Sequence, residues 1–100
     1  MIYSMHQYLH PKPHAPAREY VEESDDLWEV RKVAEADDGT RFRVDKRRPF
    51  RNDVPFGQLG LSDQRGRTVE ELSLDSYLST VFRFQSITRE EFERVWRTAR

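Results

Sequence analysis

Three histidines, His6, His10 and His14, stand four residues apart near the start of the chain. On a helix that spacing would stack the imidazoles on one face and offer a metal site. Pro11 and Pro13 fix φ and remove backbone donors, so no helix runs through the segment. The three are read as surface histidines beside a proline loop, and neither a metal nor a cofactor is expected.

Carboxylates are abundant, but with 35% of the residues charged any two can fall close together by chance, and no acid–base pair stands out. Gly57-Gln58-Leu59-Gly60 lacks the Lys-Ser/Thr that would make it a phosphate cradle, so it reads as a pair of turns. No residue is nominated as catalytic.

Charge is segregated along the chain. Residues 19–29 hold Glu19, Glu22, Glu23, Asp25, Asp26 and Glu29 without a Lys or Arg, while residues 41–51 hold Arg41, Arg43, Lys46, Arg47, Arg48 and Arg51 against Asp45 alone. In one reading the two stretches pair across the sheet, Glu29 facing Arg41 or Arg43 on a solvated face. In the other, Arg43, Lys46, Arg47, Arg48, Phe50 and Arg51 form an electropositive patch with an aromatic in it, suited to phosphate or to an acidic protein surface. A nucleic-acid binder is usually basic overall, whereas this chain has a net charge of −1 and a pI near 6.3, so an acidic protein is the preferred partner and nucleic acid the alternative.

One hundred residues suit a single domain spanning 1–100. Two Trp, four Tyr and six Phe supply a core despite only 36% hydrophobic residues. There is no Cys, which excludes a disulfide framework and a Cys-based zinc site. No apolar run reaches the ~20 residues of a membrane span, and the first residues lack a signal-peptide pattern, so the cytoplasm is the expected location and no membrane partner is expected.

The elements that must position these residues follow from periodicity and turn chemistry. Residues 2–8 read as a strand, and the proline segment 11–16 as a stiff loop crossing from one sheet edge to another. Arg18–Glu23 is a second strand, closed by the acidic turn Ser24-Asp25-Asp26. Leu27–Glu35 and Arg41–Asp45 alternate on either side of Asp38-Gly39, the strongest hairpin signal in the chain. Phe42 and Val44 are then expected to meet Trp28 and Val30 in the core, with Arg41, Arg43 and Asp45 on a solvated side.

Residues 46–66 read as a long loop with a short strand near Phe56–Leu61. Thr68-Val69-Glu70-Glu71 matches a capping box for a short helix, and Phe82 and Phe84 flank Arg83 as an extended piece. At the end, Thr88 as N-cap, Glu91 three residues on, and Ile87 with Phe92 as a hydrophobic staple coincide to start a helix. Phe92, Val95, Trp96 and Ala99 give it one apolar stripe. The fold class is therefore α+β, a small antiparallel sheet packed by a C-terminal amphipathic helix.

Trp28-Glu29-Val30-Arg31-Lys32-Val33 with Asp38-Gly39, and Ile87-Thr88-Arg89-Glu90-Glu91-Phe92-Glu93-Arg94-Val95-Trp96, resemble a small family of uncharacterised bacterial proteins that share such a hairpin and closing helix. The resemblance covers the hairpin and the last helix, and implies a compact strand-rich domain without adding a catalytic residue. Small proteins of this sort often lie beside bacterial toxin or defence genes, which implies an immunity- or inhibitor-like binding role. A non-catalytic protein-binding module is the first expectation. An anion or nucleic-acid binder using the Lys46–Arg51 loop is the second, and a small enzyme or ligand-binding protein the third, the last requiring an apolar pocket with convergent polar groups.

Overall fold

The computed structural model describes residues 1–10 and 12–100. Five strands form one antiparallel sheet: β1 (Ile2–Tyr8), β2 (Arg18–Glu23), β3 (Glu29–Glu35), β4 (Arg41–Asp45) and β7 (Phe82–Ser86), in the order β4-β3-β2-β1-β7. Between β4 and β7 come the two-residue strands β5 (Phe50–Arg51) and β6 (Leu59–Gly60), which pair with each other, and the short helices α1 (Val69–Leu74) and α2 (Leu78–Val81). The chain closes with α3 (Arg89–Thr98). The α+β architecture is the one expected.

The first four strands are a meander, so β1 and β2 are direct neighbours, with Ile2 opposite Glu23 and His6 opposite Glu19. The proline segment therefore folds the chain back on itself and does not cross to another edge; Pro11 lies outside the described residues. The crossing is made by residues 46–81, which pass over one face of the sheet and deliver β7 to the far side of β1. The expected extended piece at Phe82 and Phe84 is thus an edge strand of the main sheet.

The start of α3 follows from its sequence. Thr88 accepts from Glu91 N–H while the Glu91 carboxylate returns to Thr88, satisfying donors that the first turn leaves open. Ile87 packs with the same core cluster as Phe92, as the staple requires. The stripe on α3 buries Phe92 and Val95 against Tyr20 and Val33, with Tyr3, Met5, Trp96 and Ala99 around them. Beyond α3, the Arg100 backbone pairs with Arg41 and Arg43 and so covers the exposed edge of β4.

The β3–β4 turn is the Asp38-Gly39 hairpin, with Gly39 at φ +87°, a conformation that costs an L side chain about 1 kcal/mol. The register places Ala34 opposite Phe42 and Lys32 opposite Val44. Phe42 and Val44 therefore pack with Ala34, Val54, Phe56 and Leu59 rather than with Trp28 and Val30. Trp28 precedes β3 and is 45% exposed. The face carrying Arg41 and Arg43 is not solvated either, because α3 lies on it, and the two arginines stack over Tyr20 and Trp96. The sheet is sandwiched: α3 on the helix face, residues 46–81 on the loop face.

The two opposed charge stretches do not pair with each other as expected; each finds its partners elsewhere. Glu29 meets Lys32 at 2.8 Å instead of Arg41 or Arg43, while Arg41 meets Glu35 at 3.2 Å and Arg31 meets Glu22 at 2.7 Å. The cations that neutralise the acidic strand come mostly from β3, because β3 and not β4 is its neighbour in the sheet.

Candidate functional site

The basic segment begins with Asp45, whose side chain accepts from the N–H groups of Arg47 and Arg48, both at 2.9 Å. This turn chemistry stops β4 and folds the chain back toward β5. Arg51 is the root of the segment. Only 7% exposed, it forks onto Asp53 at 2.9 and 3.0 Å and donates to the main-chain oxygens of Arg43 and Arg100 at 3.2 and 2.7 Å. That fork holds the Asp53 carboxyl at about 2. Arg43 donates to the Trp96 carbonyl at 3.1 Å and lies 4.8 Å from the Trp96 ring, a cation placed where the end of a helix leaves carbonyls unpaired.

The six predicted residues thus divide into two groups. Arg43 and Arg51 point inward and hold the segment to the end of α3. Lys46, Arg47 and Arg48 are exposed, Arg48 lying 3.4 Å from Asp53, and Phe50 is 56% exposed. Three cations and one aromatic ring are displayed on a loop whose base is pinned by the buried guanidinium of Arg51.

The histidines are not gathered. His6 sits in β1, while His10 and His14 are exposed in the following loop, and no group of three metal-ligating side chains occurs among the described residues. His6 lies 3.3 Å from the Ser4 hydroxyl. Ser4 is 2% exposed within β1, so this contact lies inside the sheet.

The loop face also carries a site that was not foreseen. The register sets His6 opposite Phe84 and Tyr8 opposite Phe82, with ring centroids 5.1 and 4.3 Å apart, and Phe82 lies 5.6 Å from Phe84. These rings line a slot of about 200 Å³ walled by Leu72, Leu78, Pro16 and Glu19. Pro16 and Glu19 also border a second hollow of about 300 Å³, which runs past Lys32 and Phe56 to Phe50. The period-two spacing of His6 with Tyr8 and of Phe82 with Phe84 was visible in the sequence; that the two pairs adjoin was not.

Charge beneath these hollows is unbalanced. Lys32 donates to the Gly60 carbonyl at 3.0 Å, meets Glu29 at 2.8 Å and reaches Glu19 only at 3.5 Å. Burial alone would lower its pKa, but Glu19 and Glu29 together more than offset this and the net direction is up, so Lys32 stays charged. Burial pushes His6 down and keeps the ring neutral near pH 7. Burial, with Glu29 nearby, pushes Glu23 up.

Residues 2–100 match a family described as a domain of unknown function, DUF6881. The chain belongs to this family. No curated protein and no solved structure matches it. The DUF6881 match takes in the hairpin and closing helix on which the family resemblance rested, and extends through the proline segment, the basic loop and the strands that line the slot. No helix among the described residues is long and apolar enough to cross a membrane.

Proposed function

We propose that the chain is a non-catalytic protein-binding module, working in the cytoplasm, that docks on an acidic protein surface through Lys46, Arg47, Arg48 and Phe50 in an inhibitor- or immunity-like role. The observation that carries this reading is Phe50, a large ring left 56% exposed among three exposed cations on a loop that Arg51 holds in place. Aromatic and cationic side chains presented together are the composition of interface hot spots. A loop already pinned at its root loses little conformational freedom on binding, which favours affinity.

The anion or nucleic-acid reading is weaker on the same geometry. The guanidinium donors of Arg43 and Arg51 are committed to Trp96, Asp53, Arg43 and Arg100, so only Lys46, Arg47 and Arg48 remain for phosphates. Few phosphate contacts on a chain of net charge −1 would give weak, strongly salt-dependent binding.

The test is affinity capture with the wild-type chain and with a Phe50→Ala/Arg47→Glu/Arg48→Glu variant that melts at the same temperature. The expected result is an acidic protein held by the wild type, released by raised salt and lost with the variant. Capture that survives the triple change overturns the assignment, as does a tight gel shift with nucleic acid that the variant abolishes.

A further inference from the structure

The slot over β1 and β7 lies at the other end of the sheet from the basic loop and offers different chemistry. Three benzenoid rings and an imidazole line it, and the faces of such rings attract cations placed within about 6 Å of their centres. Glu19 is the one acidic side chain among its described lining residues, and the lining includes no Lys or Arg.

Glu19 is also incompletely neutralised. Its cation, Lys32, makes its shorter contacts with Glu29 and Gly60 and lies 3.5 Å away. Behind it, Glu23 and Glu29 add further carboxylates against the single charge of Lys32. The neutral state of His6 supplies no compensating charge from the opposite wall.

An anion in the slot would be repelled by Glu19, and a purely apolar occupant would strip water from that carboxylate without replacing it. A positively charged group bearing apolar substituents satisfies both the rings and the acid. The volume of about 200 Å³ is below the ~300 Å³ at which drug-sized ligand pockets begin, and suits a headgroup of a few heavy atoms. Leu72, Leu78 and Pro16 complete its wall, and this volume matches a compact headgroup better than an extended chain.

We propose that this slot binds a free small organic cation, an alkylated ammonium of choline size, with its methyl groups against Tyr8, Phe82 and Phe84 and its charge beside Glu19. None of the slot's lining residues belongs to the basic loop, so the proposal stands or falls separately from the docking role.

The test is an NMR titration of the full chain with choline and with its neutral isostere 3,3-dimethylbutan-1-ol, at matched ionic strength. Choline is expected to shift the Tyr8, Phe82, Phe84 and His6 resonances saturably and to bind at least about tenfold more tightly than the isostere. Glu19→Gln and Phe84→Leu are each expected to weaken choline about tenfold while leaving the melting temperature near that of the wild type. Should either variant fail to fold, the isostere comparison on the wild type decides. Equal binding of the two ligands, absence of saturable shifts, or binding only of a trimethyllysine peptide and not of choline would overturn the proposal.

Discussion

Arg31 and Glu22, partners across β3 and β2, form a two-pronged hydrogen bond beneath α3, Nε to Oε1 at 2.7 Å and Nη2 to Oε2 at 2.9 Å. Glu93 of α3 reaches the same guanidinium at 2.6 Å, and the rings of Phe92 and Trp96 lie 4.9 and 4.8 Å from its carbon. One side chain therefore joins two strands and the helix, with its charge balanced on both sides. The hydrogen bond to Arg31 holds the Glu22 carboxyl below its usual range, and the hydrogen bond to Glu22 raises the Arg31 pKa in return.

Removing that guanidinium leaves Glu22 buried without its partner. Arg31→Ala is expected to cost about 3 kcal/mol, and Arg31→Lys, which keeps the charge but loses the fork, about 1–2 kcal/mol. Glu93 is more exposed, so Glu93→Gln should cost no more than about 1 kcal/mol. Urea unfolding midpoints at constant slope rank the three; an Arg31→Ala chain as stable as Glu93→Gln would refute this anchor.

On the stripe of α3, burial sets the order of cost. Phe92 has no exposed surface, and Phe92→Ala should cost about 3–5 kcal/mol. Trp96 is only half-buried, held between the guanidinium groups of Arg31 and Arg43 at 4.8 Å each, and Trp96→Ala should cost about 2 kcal/mol. Thermal melts of both variants check the order.

His6 gives stability a pH dependence near neutrality. Its folded pKa lies below the unfolded value of 6.5 because burial disfavours the charged ring. The unfolded chain then binds more protons, so the stability held above pH 6.5 is lost as pH falls toward the folded value. Glu22 adds a second loss at lower pH, below the ordinary 4.5, as its depressed folded pKa is crossed. His6→Gln should flatten the upper limb and leave the lower one; a variant whose melting temperature still falls between pH 7 and 5 as steeply as the wild type's would contradict the assignment.

The basic loop separates anchoring from display. Arg51→Ala removes a buried guanidinium from Asp53 and two main-chain oxygens, and should cost about 1–3 kcal/mol while loosening the β5–β6 pair. Arg47→Ala, fully outside the core, should change stability by no more than about 0.5 kcal/mol. Hydrogen exchange at the Leu61 N–H, bonded to the Pro49 carbonyl at 2.9 Å, should quicken in the first variant and not in the second.

Much of the fold was legible where a local rule suffices. The Asp38-Gly39 turn, the Thr88 and Thr68 capping boxes and the α3 stripe each rest on residues a few positions apart, and the structure has all of them. The faces of the β3–β4 hairpin were misread because alternation identifies two sides without saying what covers each. Arg41 and Arg43 look solvated in the sequence; aromatic rings from α3 and β2 make their side of the sheet a buried one.

The candidate sites divide in the same way. The cations of residues 46–51 were readable as a patch, but Arg51 and Asp53 are close enough in sequence to have suggested an internal pair, and only burial shows that it is one. The aromatic slot was invisible because β1 and β7 are joined by seventy-odd residues of intervening chain, and strand order is not encoded in the period of either strand.

The sequence by itself determined the four long strands of the meander, the Asp38-Gly39 turn and the capped starts of α1 and α3, and which charges stand near one another along the chain, because these depend on backbone preferences and contacts a few residues apart. The tertiary structure alone decided that both sheet faces are covered, that Arg43 and Arg51 turn inward, and that His6, Tyr8, Phe82 and Phe84 share one slot beside Glu19. Those outcomes depend on where residues 46–81 and α3 come to rest, a long-range packing choice set by the whole buried surface and not by any local pattern.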